Sequence, residues 1–133
     1  MNKLLVVGLA FMASVALSFG SNHSTLDSKS DVKPNGDVSL TFKIAANKGM
    51  QLTHQAPWSI SFETMDGLEI EGAKDGKYTS KAYDDALPGF TVKAKAKAQS
   101  GKVSYKMRAF VCTEDKSRCF PQTHKGELTW KRS

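Results

Sequence analysis

Lys102–Cys112, KVSYKMRAFVC, alternates without a break: Val103, Tyr105, Met107, Ala109 and Val111 fall on one side, and Ser104, Lys106, Arg108, Phe110 and Cys112 on the other. Successive side chains of a β-strand point to opposite faces, so the segment reads as a half-buried strand with one apolar face. The same period recurs upstream. Val38, Leu40, Phe42 and Ile44 alternate with Ser39, Thr41 and Lys43, and Trp58, Ile60 and Phe62 alternate with Ser59, Ser61 and Glu63. Leu128 and Trp130 form a last short strand. Gly36, Gly49, Pro57, Gly67, Gly76, Pro88 and Gly101 punctuate these runs at turn-like intervals. No segment carries an apolar stripe of helical period over three turns. Six to eight short strands within residues 37–133 predict an all-β domain, an immunoglobulin-like β-sandwich, with a small barrel as the rival architecture. Trp58 and Trp130 are expected in its core or at its edge.

Outward from this domain, the chain begins with Met1, Asn2 and Lys3, then runs apolar from Leu4 to Leu17 with only Gly8 and Ser14 interrupting. A short basic start, an apolar run and small residues in that order define a secretory signal peptide over residues 1–20, with cleavage after Ser18 or Gly20. The apolar run falls short of the roughly 20 residues a spanning helix needs, and no later stretch approaches that length, so no stable membrane insertion is expected. Residues 21–36, SNHSTLDSKSDVKPNG, are polar and read as a flexible linker. The chain is thus expected to be periplasmic or secreted.

Losing residues 1–20 from a chain of 133 leaves enough for one core and too little for two. It also removes Lys3 and no acid, which lowers the net charge from +6 to +5. Nucleic-acid binding would need clustered cations interleaved with stacking aromatics. Instead Lys93, Lys95 and Lys97 alternate with Val92, Ala94, Ala96 and Ala98. That is a solvated strand face kept from aggregating by its lysines, and no nucleic acid is expected as a partner.

Cys112 and Cys119 are the only cysteines, and in an exported chain two thiols this close are expected to be oxidised to each other. The six residues between them close a small loop, which constrains the unfolded chain by only about 2.5 kcal/mol in the entropy model. The Cα atoms are expected within the roughly 4.4–6.8 Å that a disulfide spans. A bond joining neighbouring strands around an exposed loop is accessible to a partner thiolate, one requirement for exchange. Lys116 and Arg118 favour a thiolate while Glu114 and Asp115 oppose it. The residues alone leave a structural clip and a redox-active pair both open.

The segment KVSYKMRAFVCTEDKSRCFPQTHKGELTW (Lys102–Trp130) resembles the carboxy-terminal part of the DsbD amino-terminal domain family, the disulfide bond corrector domains. There a strand delivers the first cysteine, a polar loop follows, and an aromatic and a proline come after the second, as do Phe120 and Pro121 here. KGMQLTHQAPWSISF (Lys48–Phe62) and DGKYTSKAYDDALPGFTV (Asp75–Val92) resemble the segments that enter the sandwich and carry its cap loop. The resemblance implies an immunoglobulin-like fold. It further implies a relay in which Cys112 and Cys119 take electrons from a thioredoxin-like redox protein and pass them to oxidised envelope proteins. Phe120 and Pro121 would flank the site, and Tyr78 would be the cap aromatic shielding the idle pair. No cofactor is implied. A non-catalytic envelope binding domain with a structural hairpin disulfide is the alternative.

His23, His54 and His124 invite a metal reading, and Cys119 with His124 has a spacing reminiscent of a blue-copper loop. Such a site wants a second histidine and a nearby axial methionine, and no methionine follows His124, so no metal site is expected. No nucleophile elbow, HExxH or Ser/His/Asp order is present. Export predicts that protein recovered from the envelope fraction has lost its leader. Mass spectrometry showing an intact Met1, or loss of the methionine alone, would contradict that.

Overall fold

Alternating sequence becomes alternating burial along the long strands of the computed structural model, which describes residues 23–53 and 57–132; the leader expected over residues 1–20 and His54 lie outside them. Nine strands follow in order: β1 (Ser24–Val32), β2 (Asp37–Ala46), β3 (Met50–Leu52), β4 (Ser59–Met65), β5 (Leu68–Ile70), β6 (Tyr78–Ser80), β7 (Gly89–Ala96), β8 (Ser100–Thr113) and β9 (Cys119–Lys131). The first sheet runs β1-β2-β7-β5. In the second, β8 is central: β9 pairs along one side of it, β4 and β3 pair along the other, and β6 lies outside β4. All pairings are antiparallel, and the described residues contain no helix. The two sheets pack face to face as a β-sandwich.

The inward faces are those the alternation singles out. Val38, Leu40, Phe42 and Ile44 of β2 meet Ile60 and Phe62 of β4 and Val103, Tyr105, Met107 and Ala109 of β8, all buried. Phe42 of the first sheet packs against Phe62 and Tyr105 of the second, with centroids 5.6 and 5.0 Å apart. Each fully buried large apolar side chain contributes about 1.5–3 kcal/mol relative to exposure. Trp58 and Trp130 are buried too, their indole N–H groups donating to the carbonyls of Thr53 and Asp66.

Two segments differ from the sequence reading. Residues 21–36 are not a linker throughout, because Ser24–Val32 pairs with β2 along its whole length. Its turn carries a signal that explains this: Pro34, Asn35 and Gly36 form the hairpin, Gly36 N donates to Lys33 O at 2.9 Å, and Gly36 takes a φ of 95° that glycine accommodates. The last strand is also longer than Leu128–Trp130, starting at Cys119. Both escape an apolar pattern for one reason: their inward positions are largely polar and bond to each other. Ser24, Gln122 and His124 are buried where β1 meets β9.

The hydrogen bonds there fix a tautomer. His23 N–H can only donate, so the Gln122 atom 3.1 Å away is Oε1. Ser24 Oγ donates to the same oxygen at 2.8 Å. With its proton committed, Ser24 Oγ accepts from His124 Nε2–H, also at 2.8 Å. His124 is fully buried, and desolvation pushes its pKa below the ordinary 6.5. The unfolded chain therefore binds a proton that the folded one resists. Stability should be fully present above about pH 6.5 and decline as pH falls below it, by at most about 1.4 kcal/mol per unit. Chemical denaturation between pH 7.5 and 5.5 should show this slope, and His124→Gln should reduce it; an equal slope in the variant would exclude His124 as its source.

Candidate functional site

The hairpin that joins β8 to β9 sets the geometry around the cysteines. Thr113 N donates to Arg118 O at 2.8 Å, making Thr113 and Arg118 the closing hydrogen-bonded pair. The next pair inward, Cys112 opposite Cys119, is then the non-hydrogen-bonded kind in which side chains approach most closely. The two are joined as a disulfide with Cα atoms 3.9 Å apart, closer than the range expected from the sequence because they are direct cross-strand partners. Such bonds persist in oxidising compartments.

The loop beyond the pair is ordered by one carboxylate. Asp115 Oδ1 accepts from Thr113 Oγ1 at 2.6 Å, from Ser117 N at 2.9 Å and from Ser117 Oγ at 2.7 Å. The Thr113 bond and then those from Ser117 lower the Asp115 pKa from 3.8 to about 2. Lys116 completes the turn with a φ of 62°. Arg118, expected to favour a thiolate, turns its guanidinium to the Phe120 ring, 5.4 Å from the centroid.

The two sulfur-bearing residues differ in access. Cys112 is only 2% exposed, whereas Cys119 is exposed. Both lie on the outer face of the second sheet, where Gln51 of β3 sits directly beside Cys112. Two residues along, half-buried Phe110 is opposite exposed Pro121 on the same face. Pro121 thus belongs with the pair. Phe120, adjacent to Cys119 in sequence, points to the opposite face and packs against the His23 ring at 4.3 Å.

Tyr78 is elsewhere. It pairs with Phe62, which on its other side pairs with Tyr105 of β8, and its ring packs on Phe62 at 5.4 Å. Tyr105 precedes Cys112 by seven residues, about 23 Å of strand at roughly 3.3 Å per residue. Tyr78 is a packing residue of the sandwich edge here and does not cover the disulfide. The sequence reading missed Gln51, which no local signal ties to Cys112, since a three-residue strand supplies it from a distant segment. Phe110 was legible as sharing the Cys112 face, though not as the neighbour of Pro121.

Among the described residues, no three of His, Cys, Asp or Glu gather as metal ligands would. No known family model, curated protein or solved structure matches the chain. The placement of Tyr78 makes a direct prediction. Tyr78→Ala should lower stability by about 1–3 kcal/mol through the lost aromatic contact, while native-state reduction of the disulfide by dithiothreitol keeps its rate. A severalfold faster reduction without loss of stability would restore Tyr78 as a cap.

Proposed function

We propose that this chain is an exported thiol-disulfide interchange domain of the kind its carboxy-terminal segment resembles, an immunoglobulin-like domain relaying electrons through Cys112 and Cys119. The observation that carries the reading is the unequal access of the two cysteines at a rigid strand end. A thiolate of a thioredoxin-like dithiol partner attacks Cys119 Sγ, the exposed end of the bond. The S–S electron pair leaves on Cys112 Sγ, which takes up a proton. The partner's second thiol, deprotonated, then attacks its own sulfur in the mixed disulfide and releases Cys119 as a thiolate, which is protonated in turn. The partner is left oxidised and this pair holds two electrons and two protons as thiols. Run in reverse against an oxidised envelope protein, Cys119 attacks, Cys112 resolves, and the substrate disulfide is reduced.

A second reading, a non-catalytic envelope interaction domain with a structural clip, is favoured by the burial of Cys112, since a sulfur-bearing residue only 2% exposed is out of reach of a partner thiolate and access is one requirement for exchange. The reduction potential separates the two. Exchange predicts a value above about −300 mV, and one well below it would mark a structural bond. Under the relay, Cys112→Ser should accumulate mixed disulfides as Cys119 attacks the disulfides of oxidised envelope proteins and no second thiol resolves them, whereas Cys119→Ser should trap few. Equal absence of adducts from both variants would remove the relay.

A further inference from the structure

Lysines occupy both outer faces of the sandwich, and their surroundings differ. On the first sheet Lys95 is paired with Asp37, Lys97 with Glu69 at 3.1 Å, and Lys93 donates to Ser39 Oγ at 3.0 Å. On the second, the register sets Lys106 of β8 directly opposite Lys125 of β9, with Arg108 one outward position nearer the disulfide. The β4 residues beside Lys106 and Arg108 are Ser61 and Ser59. Glu127, on the same face of β9, is paired with Lys102 at 3.5 Å. Among the described residues no ion pair reaches Lys106, Arg108 or Lys125, and all three are exposed. Like charges directly opposite in an antiparallel pair destabilise a sheet, so folding gains nothing from this arrangement.

These cations line up with the disulfide. Cys112, Phe110, Arg108 and Lys106 are successive outward residues of β8, spaced about 6.6–6.8 Å along the strand. The Arg108 guanidinium lies 6.0 Å from the Phe110 ring, which draws its charge toward the cysteines. An extended partner segment has the same two-residue repeat. With its thiol at Cys119, the residue two along meets Phe110 and Pro121, and those four and six along meet Arg108 and the Lys106–Lys125 pair.

We infer that this outer face is a docking track for an acidic, extended, cysteine-bearing segment of a partner protein, with an apolar residue two positions and carboxylates four and six positions from the reacting cysteine. The inference rests on the exchange reading of the cysteine pair and adds the chemistry of its partner. Opposite charge raises the encounter rate of such a segment and loses its effect as salt screens it.

The test uses the intact oxidised protein and three peptides, Cys-Ala-Leu-Ala-Glu-Ala-Glu and its analogues with lysine or glutamine in place of glutamate. The rate at which each opens the Cys112–Cys119 bond is measured at low and high salt. The glutamate peptide should react about tenfold or more faster than the lysine peptide at low salt, with the rates converging at high salt. The double variant Lys106→Glu, Lys125→Glu should invert that order, whereas Lys93→Glu on the opposite face should preserve it. Equal rates for all three peptides would overturn the docking track while leaving exchange intact. If neither the peptides nor dithiothreitol opened the native bond, the exchange reading would fall. The serine analogue of the glutamate peptide, followed by fluorescence anisotropy, would still decide the track: salt-sensitive binding lost in the double variant supports it, and no binding overturns it. Tighter binding to phosphatidylglycerol vesicles than to this peptide, lost in the same variant, would assign the face to a membrane surface and also overturn it.

Discussion

The pairing of β8 with β9, continuous from Ser100 opposite Lys131 to Cys112 opposite Cys119, is the constraint on which the remaining structure depends. Because side chains alternate with period two, a one-residue slip of β9 would turn Gln122, His124, Leu128 and Trp130 out to solvent and bring Lys125 and Glu127 inward. It would also part the cysteines. The disulfide at one end and the buried Trp130, bonded to Asp66 O at the other, hold the register at both ends. One alignment thus decides the position of the cysteines, the lining of the core beside β1 and the meeting of two lysines on the outer face.

The sandwich closes along that side through polar groups. Elsewhere the sheets meet through aromatic and aliphatic side chains, but β1 and β9 are joined by Ser24, Gln122 and His124, and by Ser30 Oγ donating to Thr129 O at 3.0 Å. Buried polar atoms of this kind cost free energy if left unpaired and only modestly stabilise when satisfied. Their effect is on specificity: β1 fits beside β9 in the one alignment that satisfies Gln122 Oε1 and Ser24 Oγ together.

This division explains how much was legible in the sequence. The all-β sandwich followed from Val38–Ile44, Trp58–Phe62 and Val103–Val111, where the inward residues are apolar and alternation reports burial directly. It failed at β1 and the first half of β9, whose inward serines, Gln122 and His124 look like those of exposed strands until the partner is known. The Pro34-Asn35-Gly36 turn was the available local clue to β1. At the site, two lone cysteines in a short loop were enough to expect their bond, and parity placed Phe110 on the face of Cys112. Tyr78 could not be placed by parity, because its distance from the disulfide depends on the β6–β4–β8 register. The opposition of Lys106 and Lys125 depends in the same way on the β8–β9 register.

The seam between β1 and β9 also bears on the order in which the chain becomes a fold. Its hydrogen bonds join residues 98 to 100 apart, almost the whole length of the described chain. The β1–β2 hairpin has a local turn and can form early, but Ser24 meets Gln122 and His124 only once β9 has been made. Contacts of such separation close late, since their loop entropy must be met before they contribute. Synthesis of the chain therefore leaves this seam unmade until the segment carrying Gln122 and His124 has left the ribosome, however early the β1–β2 hairpin has formed.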